Sequence, residues 1–165
     1  MARVRHQQAV VPSLLDRLID DDPAQTSEAA QPAAVLLHEL KAGVRRDLEN
    51  LLNTRLYRQD AVAPYPELQT SVANYGLPDF STVLLGSAEH REHFRRTIET
   101  TIERFETRLQ RVRVSLAPPN DEHERTIHLK ITALLMIEPD PVPLLFDSRI
   151  RALDRVVRLR ELRHG

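Results

Sequence analysis

The sequence has no cysteine and no tryptophan, and Phe, Trp and Tyr together make up only 4% of its residues. The absence of cysteine excludes a disulfide framework, a thiolate metal site and a cysteine nucleophile, and it fits a reducing compartment. The scarcity of aromatic rings argues against a surface that binds sugars or bases by stacking. No run approaches the roughly 18 to 20 apolar residues that a membrane-spanning helix requires. We therefore expect a soluble, cytoplasmic protein that does not insert into a membrane.

Neither positive nor negative charge predominates in the sequence. Lys and Arg number 23 and Asp and Glu number 24, so the formal net charge is -1. No overall basic field would therefore draw the chain to nucleic acid or to an anionic membrane. The length of 165 residues suits one domain with a single core. The polar and basic stretch from Met1 to Val10 is not followed by an apolar run of signal-peptide length, so export by the general route is not expected.

The beginning of the chain is predicted to be separate from the domain that follows. Ser13 and Asp16 are spaced as a helix cap, and the apolar stripe that follows them ends at Asp20–Pro23. The next stretch, to Pro32, is small and polar with no periodicity. We therefore predict a short helix and a flexible tether in residues 1–32 and a single α+β domain in residues 33–165.

Apolar residues at steps of three or four predict two amphipathic helices in this domain. The first begins at Ala33 and stops near Asn53, and Arg45 and Glu49 lie four residues apart on its polar side, where they can pair. The second begins at Ser87, which can act as its cap. The predicted buried stripes are Leu37, Leu40, Val44, Leu48 and Leu51 in the first helix and Phe94, Ile98, Ile102, Phe105 and Leu109 in the second. The connection between the helices is expected to be ordered by the rings of Tyr57, Tyr65 and Tyr75.

The period changes to two after the second helix, which predicts an antiparallel sheet. Val112, Val114 and Leu116 alternate with polar residues, and a longer alternation from Ile127 to Ile137 predicts the central strand. The prolines at positions 139, 141 and 143 should keep the next segment at a sheet edge or in a turn. The last stretch fits a strand by the alternation of Val157 and Leu159, and it fits a helix by the spacing of Ile150, Leu153 and Val157.

Three motifs, Arg46–Arg55, Tyr75–Phe80 and Phe105–Leu109, occur in that order along the chain. As a set they resemble the TssE family, the baseplate subunits of bacterial type VI secretion systems, which belongs with the phage baseplate wedge proteins sometimes called lysozyme-like. The resemblance also covers Ser13–Pro23 and Phe146–Ser148. It implies a structural subunit with no catalytic, cofactor or metal site. It also implies partners: the baseplate subunits TssF, TssG and TssK, and the sheath proteins TssB and TssC, whose assembly the subunit would help to initiate.

The polar end of the first motif is unsuited to burial, and the three motifs together hold the predicted contacts with partner subunits. These contacts are Glu106, Arg108, Arg46, Asn53, Arg55 and Asp79, together with the aromatic Phe80. The resemblance also implies a terminal hairpin from about Val142 to Arg160, and an open strand edge at Val157 and Leu159 would bind a sheath strand. The family's Glu-Pro-Arg motif lacks its proline here, because Thr107 lies between Glu106 and Arg108. A proline would have ended the helix sharply.

Two other classes of function remain open from the residues. A peptidoglycan-cleaving, lysozyme-like hydrolase needs two carboxylates across a cleft, one of which must hold a proton. Glu106 is followed closely by Arg108, and a neighbouring cation favours the ionised carboxylate. A nucleic-acid-binding module would use the arginines of the C-terminal half, which lack interleaved aromatic residues. His90 and His93 lie three residues apart with no third ligand indicated, so no metal site is predicted.

Overall fold

The computed structural model of the chain describes residues 18, 32–56, 65–79, 88–117, 126–138, 140–151 and 156–162. Within these ranges two long helices precede a four-stranded antiparallel sheet, which confirms the predicted α+β fold. The predicted N-terminal helix and tether lie outside the described residues except for Leu18 and Pro32, so the division at residue 32 stays a prediction. None of the described helices is long and apolar enough to cross a membrane.

The helices follow the predicted apolar stripes closely. Helix α1 is Ala33–Asn53, so the predicted stop at Asn53 is confirmed, and helix α2 is Ala88–Phe105. The predicted cap Ser87 lies outside the described residues. The prediction that Leu109 belongs to the second helix is wrong, because α2 ends four residues earlier and Leu109 begins the first strand.

The sheet consists of β1 (Leu109–Ala117), β2 (Thr126–Leu135), β3 (Val142–Arg151) and β4 (Arg160–Glu161), in the order β1-β2-β3-β4. The predicted central strand is β2, which pairs with a long strand on each side. The predicted terminal hairpin is formed by β3 and β4, but its second strand has only 2 residues. The prediction of a strand through Val157 and Leu159 is wrong, since residues 156–159 lie outside any strand.

A β-bulge in β1 explains why its burial pattern changes phase. The register with β2 shifts between Gln110 and Arg113, and Arg111 has a positive φ of 52°. The bulge places two exposed residues in succession, so Leu109 and Val112 are both buried although they are an odd number of residues apart. Strict alternation, as the sequence predicts, begins only at Val112.

A single hydrophobic core lies between the helices and one face of the sheet. Every second residue of β2 points into it, as the period-two pattern predicts. The side chains that are almost completely buried include Leu48 and Leu52 of α1, Ile98 and Ile102 of α2, and Ile127, Leu129, Ile131, Leu135, Leu144, Phe146 and Ile150 of the sheet. The domain therefore has two layers, and the other face of the sheet carries the polar half of each strand.

The connection between the helices contains two 3₁₀ helices, Pro66–Thr70 and Val72–Asn74. The expectation that Tyr65 holds this connection to the body is wrong, because its side chain is 58% exposed. Tyr75 does contact the body, and Tyr57 lies outside the described residues. Leu77 is buried beside the end of α1.

Gly76 permits that close approach. Its φ is 114°, and a Cβ atom at this position would lie 2.5 Å from the carbonyl oxygen of Thr54. The backbone N–H of Leu77 donates to that same oxygen at 2.9 Å, and the N–H of Leu56 donates to the Leu77 carbonyl at 2.8 Å. A side chain at position 76 would force this short parallel bridge apart.

The outer edge of β1 is covered by charged side chains of α2. The backbone N–H of Val114 donates to Oε1 of Glu99 at 3.0 Å, and Nη1 of Arg95 donates to the Val114 carbonyl at 3.3 Å. Arg95 and Glu99 also pair with each other at 2.7 Å. Both backbone groups of Val114 therefore already have partners, which blocks strand addition at this point of the edge.

Candidate functional site

The three sequence motifs meet at one place on the surface. Asp47 of α1, Tyr75 of the connection, and Glu106 and Arg108 of the turn between α2 and β1 form a contiguous cluster, with Arg46 at its outer side. We call these five residues the motif junction. They come from positions up to 62 apart in the sequence, so only the folded chain brings them together.

Arg108 is the central group of the motif junction. Its Nε donates to Oε1 of Glu106 at 2.7 Å and its Nη2 donates to Oε2 at 2.6 Å, which is the bidentate geometry of a strong charge-assisted pair. The same Nη2 donates to Oδ2 of Asp47 at 2.6 Å. The hydrogen bonds from Arg108 to Glu106 raise the pKa of the guanidinium above its ordinary value, against the effect of burial, and Asp47 raises it further.

Burial differs across the motif junction. The Glu106 side chain is only 9% exposed, whereas those of Arg108 and Asp47 are 25% and 28% exposed. Arg46 is 41% exposed and holds Oδ1 of Asp47 at 3.3 Å. Glu106 is thus an internal anchor, and the groups that a partner can reach are the outer edges of Arg46, Asp47 and Arg108.

The turn after α2 forms with Thr107 between Glu106 and Arg108. The N–H of Glu106 still bonds to the carbonyl of Ile102 at 2.8 Å, and the N–H of Leu109 then bonds to the Glu106 carbonyl at 3.1 Å. The Arg108 backbone N–H lies 3.3 Å from Oε1 of Glu106. The Glu106 carboxylate therefore holds this turn through both the backbone and the side chain of Arg108.

Tyr75 links the connection to the motif junction. Its ring meets that of Phe105 edge to face, with the ring centres 5.3 Å apart and the planes at 72°. Burial raises the pKa of the Tyr75 phenol, and the negative charges of Asp47 and Glu106 raise it further. The ring thus packs on α2 while its hydroxyl lies in the field of both carboxylates.

Asn53, Val157 and Leu159 form a second cluster, which holds the C-terminal segment against α1. The side chain of Asn53 donates through Nδ2 to the Val157 carbonyl at 2.9 Å and accepts the Val157 N–H through Oδ1 at 2.8 Å. The N–H of Leu159 donates to Oε1 of Glu49 at 2.7 Å, and Nζ of Lys41 pairs with Oε1 of Glu161 at 2.7 Å. We call this set the C-terminal clamp.

The clamp changes the interpretation of two predictions. Glu49 was expected to pair with Arg45 along α1, but the described contact of its carboxylate is the amide of Leu159. Val157 and Leu159 have side chains only 2% and 3% exposed, and their N–H groups are already bonded to α1. A partner strand could use these two amides only after the clamp had opened.

The other predicted contact residues are Arg55, Asp79 and Phe80. Arg55 is exposed and forms the short parallel bridge with Leu77, and Asp79 is exposed in the same region. Phe80 lies outside the described residues. Among the residues that the structure describes, no group of three histidine or acidic side chains is arranged to hold a metal ion.

The sequence did not indicate that Asp47 and Tyr75 belong to the motif junction, or that Glu49 belongs to the C-terminal clamp. Asp47 and Glu49 both lie within the Arg46–Arg55 motif, but nothing in a helical period tells which acid of a polar face meets a distant arginine or a backbone amide. The only available signal was that the motif holds two acids beside buried leucines. Their partners are 61 and 110 residues away in the sequence.

The motif junction is suited to binding and not to general acid catalysis. The carboxylates of Glu106 and Asp47 both contact one nitrogen of Arg108, so a cation occupies the place between them. A glycosidase pair instead leaves room there for the scissile bond. Fixed charges at a partly exposed surface, held by a buried anchor, can direct the orientation of a protein partner.

Comparisons with known proteins show the family and the fold of the chain. Residues 38–140 match the family described as baseplate wedge protein gp25. The chain is 31% identical over 107 residues to the anti-adapter protein IraD of Salmonella paratyphi A, which covers 65% of this chain and 75% of that protein. A chain of the solved baseplate complex from the type VI secretion system has a similar fold, with a TM-score of 0.51 at 17% sequence identity over 77% of this chain and 97% of that chain. The predicted resemblance is therefore confirmed: the chain belongs to the baseplate wedge protein gp25 family.

Proposed function

We propose that the chain is a structural subunit of a type VI secretion baseplate and that it works by binding neighbouring subunits, without catalysis. One observation supports this proposal in addition to the family membership. The three motifs that resemble TssE are distant in sequence, yet they converge at the motif junction, where a buried pair positions exposed charges. A site built in this way can fix the orientation of a bound partner protein. The expected compartment is the cytoplasm.

The expected partners at the motif junction are the baseplate subunits TssF, TssG and TssK. Arg46 is the residue best placed to test this, because its guanidinium is 41% exposed and lies at the outer side of the cluster. Its removal leaves the Arg108–Glu106 pair intact. Binding can thus be separated from folding, which is not possible with Arg108 itself.

The experiment is co-purification of the baseplate subunits with a tagged chain from cells that carry the natural system. We expect TssF and TssG to accompany the unaltered chain, and Arg46→Ala to reduce their recovery several-fold. Arg45→Ala is the matched control, since Arg45 is exposed on the same helix one residue away and outside the motif junction. Equal recovery with both variants would contradict the proposed site, and no recovery with the unaltered chain would contradict the proposed function.

We also propose that the hairpin of β3 and β4 joins the baseplate to the sheath of TssB and TssC and helps to start its assembly. The edge of β1 is covered at Val114, as described above, whereas β4 is the last strand on the other side of the sheet. The N–H of Leu162 bonds inward to the Leu145 carbonyl at 2.8 Å, so the N–H of Glu161 faces outward by the alternation of an antiparallel pair. The N–H of Glu161, which we call the outward amide of β4, is therefore the group to which an added strand would hydrogen-bond.

Glu161→Pro tests this, because it removes the outward donor. Glu161→Ala is its control, since both variants lose the ion pair with Lys41 and only the proline removes the N–H. Sheath formation that is lost with proline and kept with alanine, in cells whose wedge still assembles, would support strand addition. Sheath formation with both variants would reject it.

A second candidate function is inhibition of an adapter protein by direct binding. It is favoured by the 31% identity to the anti-adapter protein IraD, which exceeds the 17% identity to the baseplate chain. The same co-purification distinguishes the two, because an anti-adapter would recover an adapter protein and no baseplate subunit. Both functions rest on protein binding.

A further inference from the structure

The sheet has one face against the helices and one face that no described helix covers. Four basic side chains on this outer face are exposed: Arg113 of β1, Lys130 of β2, Arg149 of β3 and Arg160 of β4. We call them the basic sheet face. Each strand contributes one of them.

The strand register places these cations close together. Lys130 lies beside Asp147, which in turn lies beside Arg160, so they form one row across three strands. Arg149 is two residues further along β3 from Asp147 and therefore on the same side of the sheet. With strands about 4.8 Å apart, four strands span roughly 14 Å. This width accommodates one α-helix, whose diameter with side chains is about 10–12 Å.

The charge of this surface contrasts with that of the whole protein. The chain has a formal net charge of -1, yet Asp147 is the one carboxylate among the described outward-facing residues of the sheet, which also include the four cations; only Arg113, at the edge strand, is also near the Glu99 carboxylate of α2. The excess positive charge is thus concentrated on one flat side. Such a surface attracts acidic partners and favours a fast, salt-dependent encounter.

Two features of the basic sheet face favour a protein over a nucleic acid. Asp147 lies within the row, between Lys130 and Arg160, where it would repel a phosphate backbone that offers negative charge alone. A protein segment can offer a lysine or arginine at that point. In addition, no Phe, Tyr or Trp among the described residues lies on this face, and the ring of His128, beside Arg149, is the one available for a base to stack on. Half-buried Thr132, Leu134 and Leu145 fill the flat surface between the charges.

We propose that the basic sheet face binds an acidic helical segment of a partner protein, with Asp147 pairing with a cation of that segment. This surface is distinct from the motif junction and from the outward amide of β4. It does not depend on whether the chain acts in a baseplate or on an adapter.

The test uses the full chain and a labelled, glutamate-rich helical peptide with a single central lysine, followed by fluorescence anisotropy at low and at physiological ionic strength. We expect the double variant Lys130→Glu, Arg149→Glu to bind the peptide at least about tenfold more weakly than the unaltered chain, because it replaces attraction with repulsion at two points. The control is Arg45→Glu, Arg96→Glu, which makes the same charge change on exposed positions of the helices. We expect the control to bind within about twofold of the unaltered chain.

Asp147→Asn provides an independent readout. It should abolish any preference for the lysine-containing peptide over a matched peptide with alanine in place of the lysine, and it should strengthen binding of duplex DNA, because it removes the one negative charge from the row. The proposal is wrong if the unaltered chain fails to bind the peptide at low ionic strength, or if both double variants lose binding equally. It is also wrong if duplex DNA binds more tightly than the peptide with the same dependence on Lys130 and Arg149. Unchanged thermal unfolding of the variants would exclude misfolding as the cause of a loss.

Discussion

Removal of the Arg108 side chain should destabilise the isolated protein as well as its assembly. In Arg108→Ala the buried Glu106 carboxylate loses two hydrogen bonds, of 2.7 Å and 2.6 Å, and Asp47 loses one of 2.6 Å. A carboxylate with an exposed fraction of only 9% cannot recover these bonds from water without moving. The perturbation is therefore an uncompensated buried charge.

The size of the effect follows from how buried the cluster is. Breaking a fully buried ion pair from one side costs about 3–5 kcal/mol. Two features reduce this value here: Arg108 is itself 25% exposed, and the backbone N–H of residue 108, 3.3 Å from Glu106, remains in the variant. Nη1 of Arg108 is also buried without a partner, so part of its desolvation is uncompensated already. We expect a loss of about 2–3 kcal/mol in the free energy of unfolding, which corresponds to about 5–10 °C in Tm for a chain of this size.

Urea unfolding followed by circular dichroism measures this loss directly. The control is Arg96→Ala, because Arg96 is 70% exposed in its pair with Glu92 and its removal should cost less than about 0.5 kcal/mol. A double-mutant cycle with Glu106→Gln should show that most of the cost of Arg108→Ala disappears when the carboxylate is already neutral. If Arg108→Ala matched Arg96→Ala, or if its cost were unchanged in the Glu106→Gln background, the reasoning would be refuted.

Asn53→Ala should lower the free energy of unfolding by about 1–2 kcal/mol in urea titrations, because it removes two hydrogen bonds to the C-terminal segment. Asn50→Ala, at an exposed position of the same helix, is the control and should change this free energy by less than about 0.5 kcal/mol. Gly76→Ala should cost more than about 2 kcal/mol in the same assay, since φ is 114° and the new Cβ would lie 2.5 Å from the Thr54 carbonyl oxygen; a smaller loss would contradict the close approach. Burial acts to raise the pKa of Glu99, but the hydrogen bonds from the Val114 N–H and Arg95 outweigh it and hold this pKa below its ordinary value of 4.5. The stability that results is present above pH 4.5 and is lost as the pH falls. Glu99→Gln should therefore flatten the acid side of a curve of unfolding free energy against pH, and an unchanged curve would argue against the contact.

Hydrophobic period alone was enough to predict the main elements. The stripes of α1 and α2 and the alternation in β2 are local patterns, and each element must bury its apolar face whatever the rest of the chain does. The stop at Asn53 was predictable for the same reason, since the apolar stripe ends there. The end of α2 was not, because the apolar stripe continues in register to Leu109, whereas α2 ends at Phe105 and Glu106 accepts hydrogen bonds from Arg108 in the turn that follows.

The contacts of the candidate site could likewise be predicted only in part. The motifs identified Glu106 and Arg108 as a pair, and the turn after α2 brings their side chains within 2.6 Å of each other. Their third member, Asp47, could not be predicted, because the contact depends on the packing of α1 beside the turn after α2. The clamp on Val157 and Leu159 was missed because alternation shows which side chains are buried but not what the backbone amides bind.

The sequence by itself determined that this is an α+β domain with a given set of buried side chains, since burial is decided by hydrophobicity and by the periods of helix and strand. Only the tertiary structure decided which charges meet, which edge of the sheet is covered and which face is left to solvent. These outcomes depend on distances of a few ångströms between residues far apart in sequence, such as the 2.6 Å between Arg108 and Asp47. Electrostatic and hydrogen-bond partners are selected at that scale, and a one-dimensional pattern contains no information about it.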